Sequence, residues 1–146
     1  MDEVISRFIE SRNIAIIGAS TSKKKFGNVV YRELKSKGYT VFPVNPNAES
    51  VEGDRTYPDV KSLPPKVDAA VVVTPPDLAD RIVEEAISHG LKKIWFQQGA
   101  ESAPAVEKAL EAGLDVVSKK CIMMYAPPVK GFHSFHRFLA GIFKRL

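Results

Sequence analysis

The run Asn13-Ile14-Ala15-Ile16-Ile17-Gly18-Ala19-Ser20 is apolar after its first residue and closes on a glycine followed by two small residues. It shows no alternation of apolar and polar positions. A strand of that kind is buried on both faces, and such strands belong to parallel sheets. Four more runs repeat the pattern: Thr40–Val44 before Asn45, Ala69–Val73 before Thr74, Lys93–Phe96 before Gln97, and Leu114–Ser118 before Lys119. The residues that close them fall 22 to 29 positions apart, the length of one strand-plus-helix unit. The segments between them carry helical spacing. Val30 and Leu34 precede Gly38, and Ala79, Ile82, Val83, Ala86 and Ile87 line Asp77–His89 before Gly90. Ser102, a candidate N-cap, leads Ala103, Val106, Ala109 and Leu110 before Gly113. A glycine thus stands three times where a helix gives way to a strand.

The fold class is therefore α/β: a doubly wound, five-stranded parallel sheet, Rossmann-like. Right-handed crossovers give it the expected order 3-2-1-4-5, counting the five runs along the chain. Residues 2–10 predict an extra leading helix with Val4, Ile5, Phe8 and Ile9 on one face, and about 132–145 predict a closing helix. The stretch 45–67, rich in Pro, Asp, Glu and Ser, reads as a loop with a short helical turn. With 146 residues, one domain over 1–146 is expected, large enough to fold without staples.

Composition excludes several classes. One cysteine forms no internal disulfide and no thiolate metal site, and the three histidines, His89, His133 and His136, argue against a transition-metal centre. The net charge of +4 is modest, and the lysines fall in short groups at 23–25, 92–93 and 119–120 separated by acidic stretches. That distribution suits a small polyanionic ligand rather than nucleic acid. No apolar run approaches the roughly 20 residues of a membrane span, and the start lacks a signal-peptide pattern. A cytoplasmic protein is the expectation.

In such sheets a ligand binds outside the carboxyl ends of the strands, at the point where strand order reverses. With the order above, that point falls between the first and fourth runs. The residues on this edge are Gly18-Ala19-Ser20, Asn45-Pro46, Thr74-Pro75-Pro76, Gln97-Gln98-Gly99 and Lys119-Lys120-Cys121. They are small and polar, and an anionic ligand follows. In the turn 18–28, Gly18 permits a tight bend and Ala19 and Ser20 let a phosphate approach the backbone. Gly27 opens a helix whose N-terminal amides favour a pyrophosphate. The turn is not G-x-G-x-x-G: Ser20 occupies the second glycine position and the spacing to Gly27 is too long. The second run ends in Val44-Asn45-Pro46-Asn47, without the acidic residue that bonds the ribose hydroxyls of a nicotinamide dinucleotide. A carboxylate there would repel a 3′-phosphorylated adenosine, and asparagine tolerates it.

The sequence resembles a known family through G-A-S at 18–20, K-x-G-N at 25–28, G-Y-x-V-x-P-V-N-P-N at 38–47 and V-x-G-x-x-x-Y-P at 51–58. V-D-x-x-V-V at 67–72, W-x-Q-x-G at 95–99 and G-L-x-V-V with Cys121 at 113–121 add to it. These look like the small stand-alone CoA-binding domain proteins, which share their fold with the CoA-binding domain of the succinyl-CoA synthetase α subunit. The resemblance covers roughly residues 10–125. It implies coenzyme A or an acyl-CoA as ligand, with the pyrophosphate on Gly18, Ala19, Ser20, Lys25, Phe26 and Gly27. The adenosine would lie along Val44, Asn45 and Pro46, and Thr74, Pro75, Gln97 and Gln98 would flank the pantetheine arm. Two departures stand out: Gln98 replaces the acidic residue that follows the fourth strand in the synthetase subunit, and Thr74-Pro75-Pro76 matches the synthetase-like turn rather than the commoner stand-alone one.

No Ser–His–acid, paired-carboxylate or Walker pattern is present, and the resemblance implies that the phosphorylated histidine of the synthetase subunit belongs to a second domain outside the matching stretch. The expectation is a CoA-binding carrier, sensor or partner subunit that is not itself an enzyme. Two rival readings remain: a nicotinamide-dinucleotide oxidoreductase or redox sensor on the same fold, and a subunit completing an acyl-CoA synthetase with an ATP-grasp partner chain. Cys121 is either a small buried hydrophobe or, beside Lys119 and Lys120, a thiol that exchanges with that of CoA. The apolar positions of the closing helix (Phe132, Phe135, Leu139, Ile142 and Leu146) either pack on the sheet or form a homodimer contact.

Overall fold

The computed structural model describes residues 3–128; the expected closing helix lies outside them. The chain is α/β, and its main sheet has five parallel strands. A short leading helix, α1 (Glu3–Ile9), buries Ile5, Phe8 and Ile9. Then come β1 (Asn13–Ile17), α2 (Phe26–Ser36) and β2 (Thr40–Val44). Two-residue strands β3 (Ser50–Val51) and β4 (Asp54–Arg55) form an antiparallel hairpin. β5 (Ala69–Val72), α3 (Ala79–His89), β6 (Lys93–Phe96), α4 (Ala103–Glu111) and β7 (Asp115–Val117) complete the alternation.

Strand side chains alternate between two cores. Ala15 and Ile17 of β1 join the core under α3 and α4. Ile14 and Ile16 join the one under α1 and α2. The doubly wound layering expected from unbroken apolar runs is thus present, because each strand must be apolar on both faces when helices cover both. Ser102 caps α4 as expected, its Oγ accepting from Ala105 N at 3.2 Å.

The strand order differs from expectation. It is β2-β1-β5-β6-β7, which in the counting of the five runs is 2-1-3-4-5. The third run pairs with the first, Ile14 opposite Ala69 and Ile17 opposite Val72, while β2 lies at the edge. The physical reason is in β2 itself. Pro43 has no N–H to give a second ladder, so this strand suits an edge, and only its carbonyl is used on the outer side, accepting from Tyr57 N at 2.9 Å. The four residues of β5 are fully buried, as the centre of the sheet requires. The reversal of strand order consequently lies between β1 and β5, not between the first and fourth runs.

The stretch 45–67 is more ordered than a loop. Its hairpin turns at Glu52 and Gly53, both with positive φ. A 3₁₀ turn at Val60–Ser62 follows, capped by Asp59, whose Oδ1 accepts from Ser62 N at 2.9 Å. The helix expected over Asp77–His89 begins as a 3₁₀ turn, Pro76–Leu78, before α3 proper. Leu110, expected on the buried face of α4, is exposed.

Candidate functional site

Two clefts open at the carboxyl edge. The first, about 500 Å³, lies between the turn after β1 and the turns after β5 and β6; it includes Gly18, Ser20, Lys25, Phe26, Gly27, Thr74, Pro75, Gln97 and Gln98. The second, about 360 Å³, includes Gly18, Ala19, Val44, Asn45, Pro46 and Thr74. Every residue to which the resemblance assigns a part of CoA therefore lines one cleft or the other. Gly18 and Thr74 line both, so the clefts meet at a saddle over the switch point between β1 and β5.

Two glycines shape that saddle. Gly18 has φ of +123°, and a Cβ on it would stand 3.0 Å from the carbonyl carbon of Val73 and 3.2 Å from Thr74 N. A Cβ on Gly27 would come within 2.6 Å of the Gly18 carbonyl oxygen. The first turn of α2 is thereby pressed against the end of β1, as a main-chain anion cradle requires. Lys25 occupies the N-cap without a side-chain cap bond, and no acidic residue sits in that first turn. The amides of Phe26 and Gly27 belong to the set that a helix cannot satisfy internally. Lys25 adds the first cleft's one ionisable side chain among its described lining residues.

The turn 18–28 is set by a residue that sequence reasoning had used only as part of a motif. Asn28 is fully buried. Its Oδ1 accepts from Ser20 N at 2.7 Å, and its Nδ2 donates to Ser20 O at 2.6 Å and to Glu52 Oε2 at 2.9 Å. Arg32 reaches the same Glu52 oxygen at 2.7 Å. The Asn28 amide and the Arg32 guanidinium hold the Glu52 carboxyl below the usual carboxylate range, against the opposing effect of desolvation. Alongside, Lys35 and the Tyr31 hydroxyl bind Asp54 at 2.6 and 2.5 Å and depress its carboxyl. Burial, then Asp54, pushes the Tyr31 phenol far up. The hairpin is thus bolted to α2 through both of its carboxylates.

Asn45 and Gln97 line the clefts, but their side chains are committed to the protein. Asn45 Nδ2 donates to Ala19 O at 3.0 Å, and its Oδ1 accepts from Asn47 N at 2.7 Å. Gln97 Oε1 accepts from Ile122 N at 2.8 Å and its Nε2 meets Cys121 Sγ at 3.4 Å. Cys121, half-buried, lines neither cleft. Gln98 is exposed. Lys119 and Lys120 also stay outside the two clefts.

Residues that the sequence did not place at the site complete the second cleft: Asp59, Val60, Leu78, Arg81, Ile82 and Glu85. Its two carboxylates are engaged, Asp59 on Ser62 and Glu85 with Val60 N at 3.1 Å and Arg81 Nε at 3.5 Å. Only the reach of the 3₁₀ turn over α3 brings them here, and the sequence carries no short-range signal of that contact.

The family model of the CoA binding domain matches residues 12–127. The chain belongs to this CoA-binding domain family. The alpha subunit of the ADP-forming acetate–CoA ligase II of Pyrococcus furiosus is 32% identical over 130 residues, covering 82% of this chain and 28% of that subunit. A hypothetical protein from Pyrococcus horikoshii OT3 superposes with a TM-score of 0.81 at 35% identity, covering 97% of this chain and 93% of the other. The dinucleotide-forming acetyl-coenzyme A synthetase 1 of Ca. Korarchaeum cryptofilum matches at a TM-score of 0.68 and 29% identity, over 77% of this chain and 27% of that enzyme. The chain thus spans about a quarter of these ligase chains. No described helix is long and apolar enough to cross a membrane.

Proposed function

We propose that this protein binds coenzyme A or an acyl-CoA at the carboxyl edge of its sheet, acting as a carrier, sensor or partner subunit without catalytic machinery of its own. The observation that carries this reading is the pair of clefts joined at the Gly18–Thr74 saddle. An extended ligand with an anionic middle suits that shape. Its pyrophosphate would meet the first-turn amides of α2 and Lys25, where Gly27 lets the helix start close against the backbone of Gly18. The adenosine would lie toward Val44, Asn45 and Pro46, where the strand end offers no carboxylate to a 2′,3′-diol, and Arg81, paired with Glu85 through Nε, would present its outer nitrogens to a phosphate. The pantetheine arm would run past Pro75, Gln98 and Gly99. The first cleft, lined by no carboxylate or histidine among the described residues, suits binding rather than acid–base chemistry.

Titration calorimetry tests the reading. CoA should bind more tightly than dephospho-CoA and than NADH, and Lys25→Ala should weaken CoA by about tenfold, the scale of one charge-assisted hydrogen bond. Tighter binding of NADH than of CoA would overturn it in favour of a dinucleotide-dependent redox role. A second reading, a partner subunit of an ADP-forming acyl-CoA ligase, draws on the relatives, in which the matching stretch is only part of a larger chain. Co-purification with an ATP-grasp chain is its test.

A further inference from the structure

The Oγ1 of Thr74 is buried and has no hydrogen-bond partner among the described residues. A hydroxyl withdrawn from water without a partner destabilises the fold, and valine, of nearly the same shape, would avoid that cost. The position is also the junction of the site: Thr74 and Gly18 line both clefts, and their turns touch so closely that a Cβ on Gly18 would stand 3.2 Å from Thr74 N. Whatever extends from one cleft into the other passes Thr74. Thr74 sits at a bend just past β5, where the following Pro75 restricts its backbone, so the hydroxyl reorients by turning about χ1 between staggered positions.

We infer that the Thr74 hydroxyl is a donor recruited by the ligand: unpaired in the free protein, it turns about χ1 and donates to an oxygen of the diphosphate–ribose linkage as that linkage crosses the saddle. This rests on the CoA reading above. On one side of Thr74 lie Lys25 and the first-turn amides of α2, and on the other Asn45 and Pro46. The phosphate-to-ribose portion is therefore the part of the ligand that bridges them. A ligand that fills only one cleft does not recruit the hydroxyl, so Thr74 selects for molecules that span both.

The experiment uses the full chain as wild type, Thr74→Val and Thr74→Ser, with thermal melting of the free proteins and calorimetric titration of CoA, of 3′,5′-ADP and of pantetheine. Thr74→Val should raise the melting temperature of the free protein by about 2–4 °C, since it removes an unpaired buried hydroxyl. The same change should weaken both CoA and 3′,5′-ADP by about tenfold and leave pantetheine unaffected, while Thr74→Ser keeps wild-type affinity. The opposed signs on stability and affinity are what a merely structural threonine would not produce. A valine variant that melts lower, or that binds CoA as the wild type does, overturns the inference. A loss confined to pantetheine-bearing ligands overturns the assignment to the nucleotide. If the wild type binds neither CoA nor 3′,5′-ADP, the CoA reading fails and this inference with it. Wild-type binding with an unaltered valine variant removes only the Thr74 donor.

Discussion

Two buried carboxamides hold two halves of the sheet's carboxyl edge, and they do so with unequal strength. Asn28 clamps the turn after β1 through three hydrogen bonds, two to the backbone of Ser20 and one to the carboxylate of Glu52, all at 2.9 Å or less. Gln97 holds the segment after β7 through one backbone bond from Ile122 N and a 3.4 Å contact with the Cys121 sulfur. Both are almost wholly buried, and a carboxamide is the side chain that accepts and donates at once without bringing a charge into the interior. The difference lies in the partners. Asn28 has a charge-assisted bond, whereas the sulfur opposite Gln97 is a weak acceptor. The turn that is expected to face the phosphates is thus the more firmly held of the two.

The sharpest way to break this comparison is Asn28→Ala. It strands the amide and carbonyl of Ser20 and removes a partner of Glu52. Stability should fall by about 2–4 kcal/mol, and CoA affinity should be lost with the shape of the turn. Denaturant unfolding and calorimetry check both; a loss below about 1 kcal/mol with binding intact would remove Asn28 as the clamp. Gln97→Leu should act in the same sense with less force, about 1–2 kcal/mol, because one strong bond and one weak one go. CoA affinity should stay within about threefold of wild type, since both ends of the amide are already bonded to Ile122 and Cys121. Abolished binding with unchanged stability would show instead that Gln97 touches the ligand.

The smallest effect expected is a pH dependence through Glu52. Its folded-state carboxyl is depressed, chiefly by Asn28, with Arg32 acting in the same direction. Such a group stabilises the fold fully above its unfolded pKa, about 4.3, and that contribution fades as pH falls through the lower, folded value. Wild type should therefore exceed Glu52→Gln in stability at pH 7, and the gap should close in acid. Unfolding at pH 7, 5 and 3 measures it; parallel curves would mean that the Asn28–Glu52 contact does not act through charge.

The sequence was a good guide where a residue's neighbours follow from its own strand or helix. The five runs became the five strands of the main sheet because a strand covered on both faces leaves no room for polar positions. Their ends point to one edge because the strands are parallel, which is why the residues assigned to CoA by resemblance line the clefts, although Lys119, Lys120 and Cys121 after β7 do not. The strand order was legible in principle too: Pro43, lacking an amide hydrogen, marks β2 as an edge strand, whereas the handedness of the crossovers alone does not separate 2-1-3-4-5 from 3-2-1-4-5. The hairpin at 50–55 was not legible, since two-residue strands are too short to display a period.

What the sequence by itself determined is the layer architecture, the small and polar turns at the carboxyl edge of the sheet and the missing acid after β2, all of which depend on residue type and local spacing. The tertiary structure alone decided which carboxamides are occupied. Asn45 and Gln97 are expected at the ligand through the family resemblance, yet their amides are bonded to Ala19 and Ile122, and Asn28, met in the sequence only within the K-x-G-N motif, fixes the turn after β1. It also decided that β5 lies beside β1, which places Thr74 against Gly18. The physical reason is that a polar side chain is directed by whatever partner stands within about 3 Å, and partners 25 residues away in sequence, such as Ile122 for Gln97, come within reach only when the sheet is assembled.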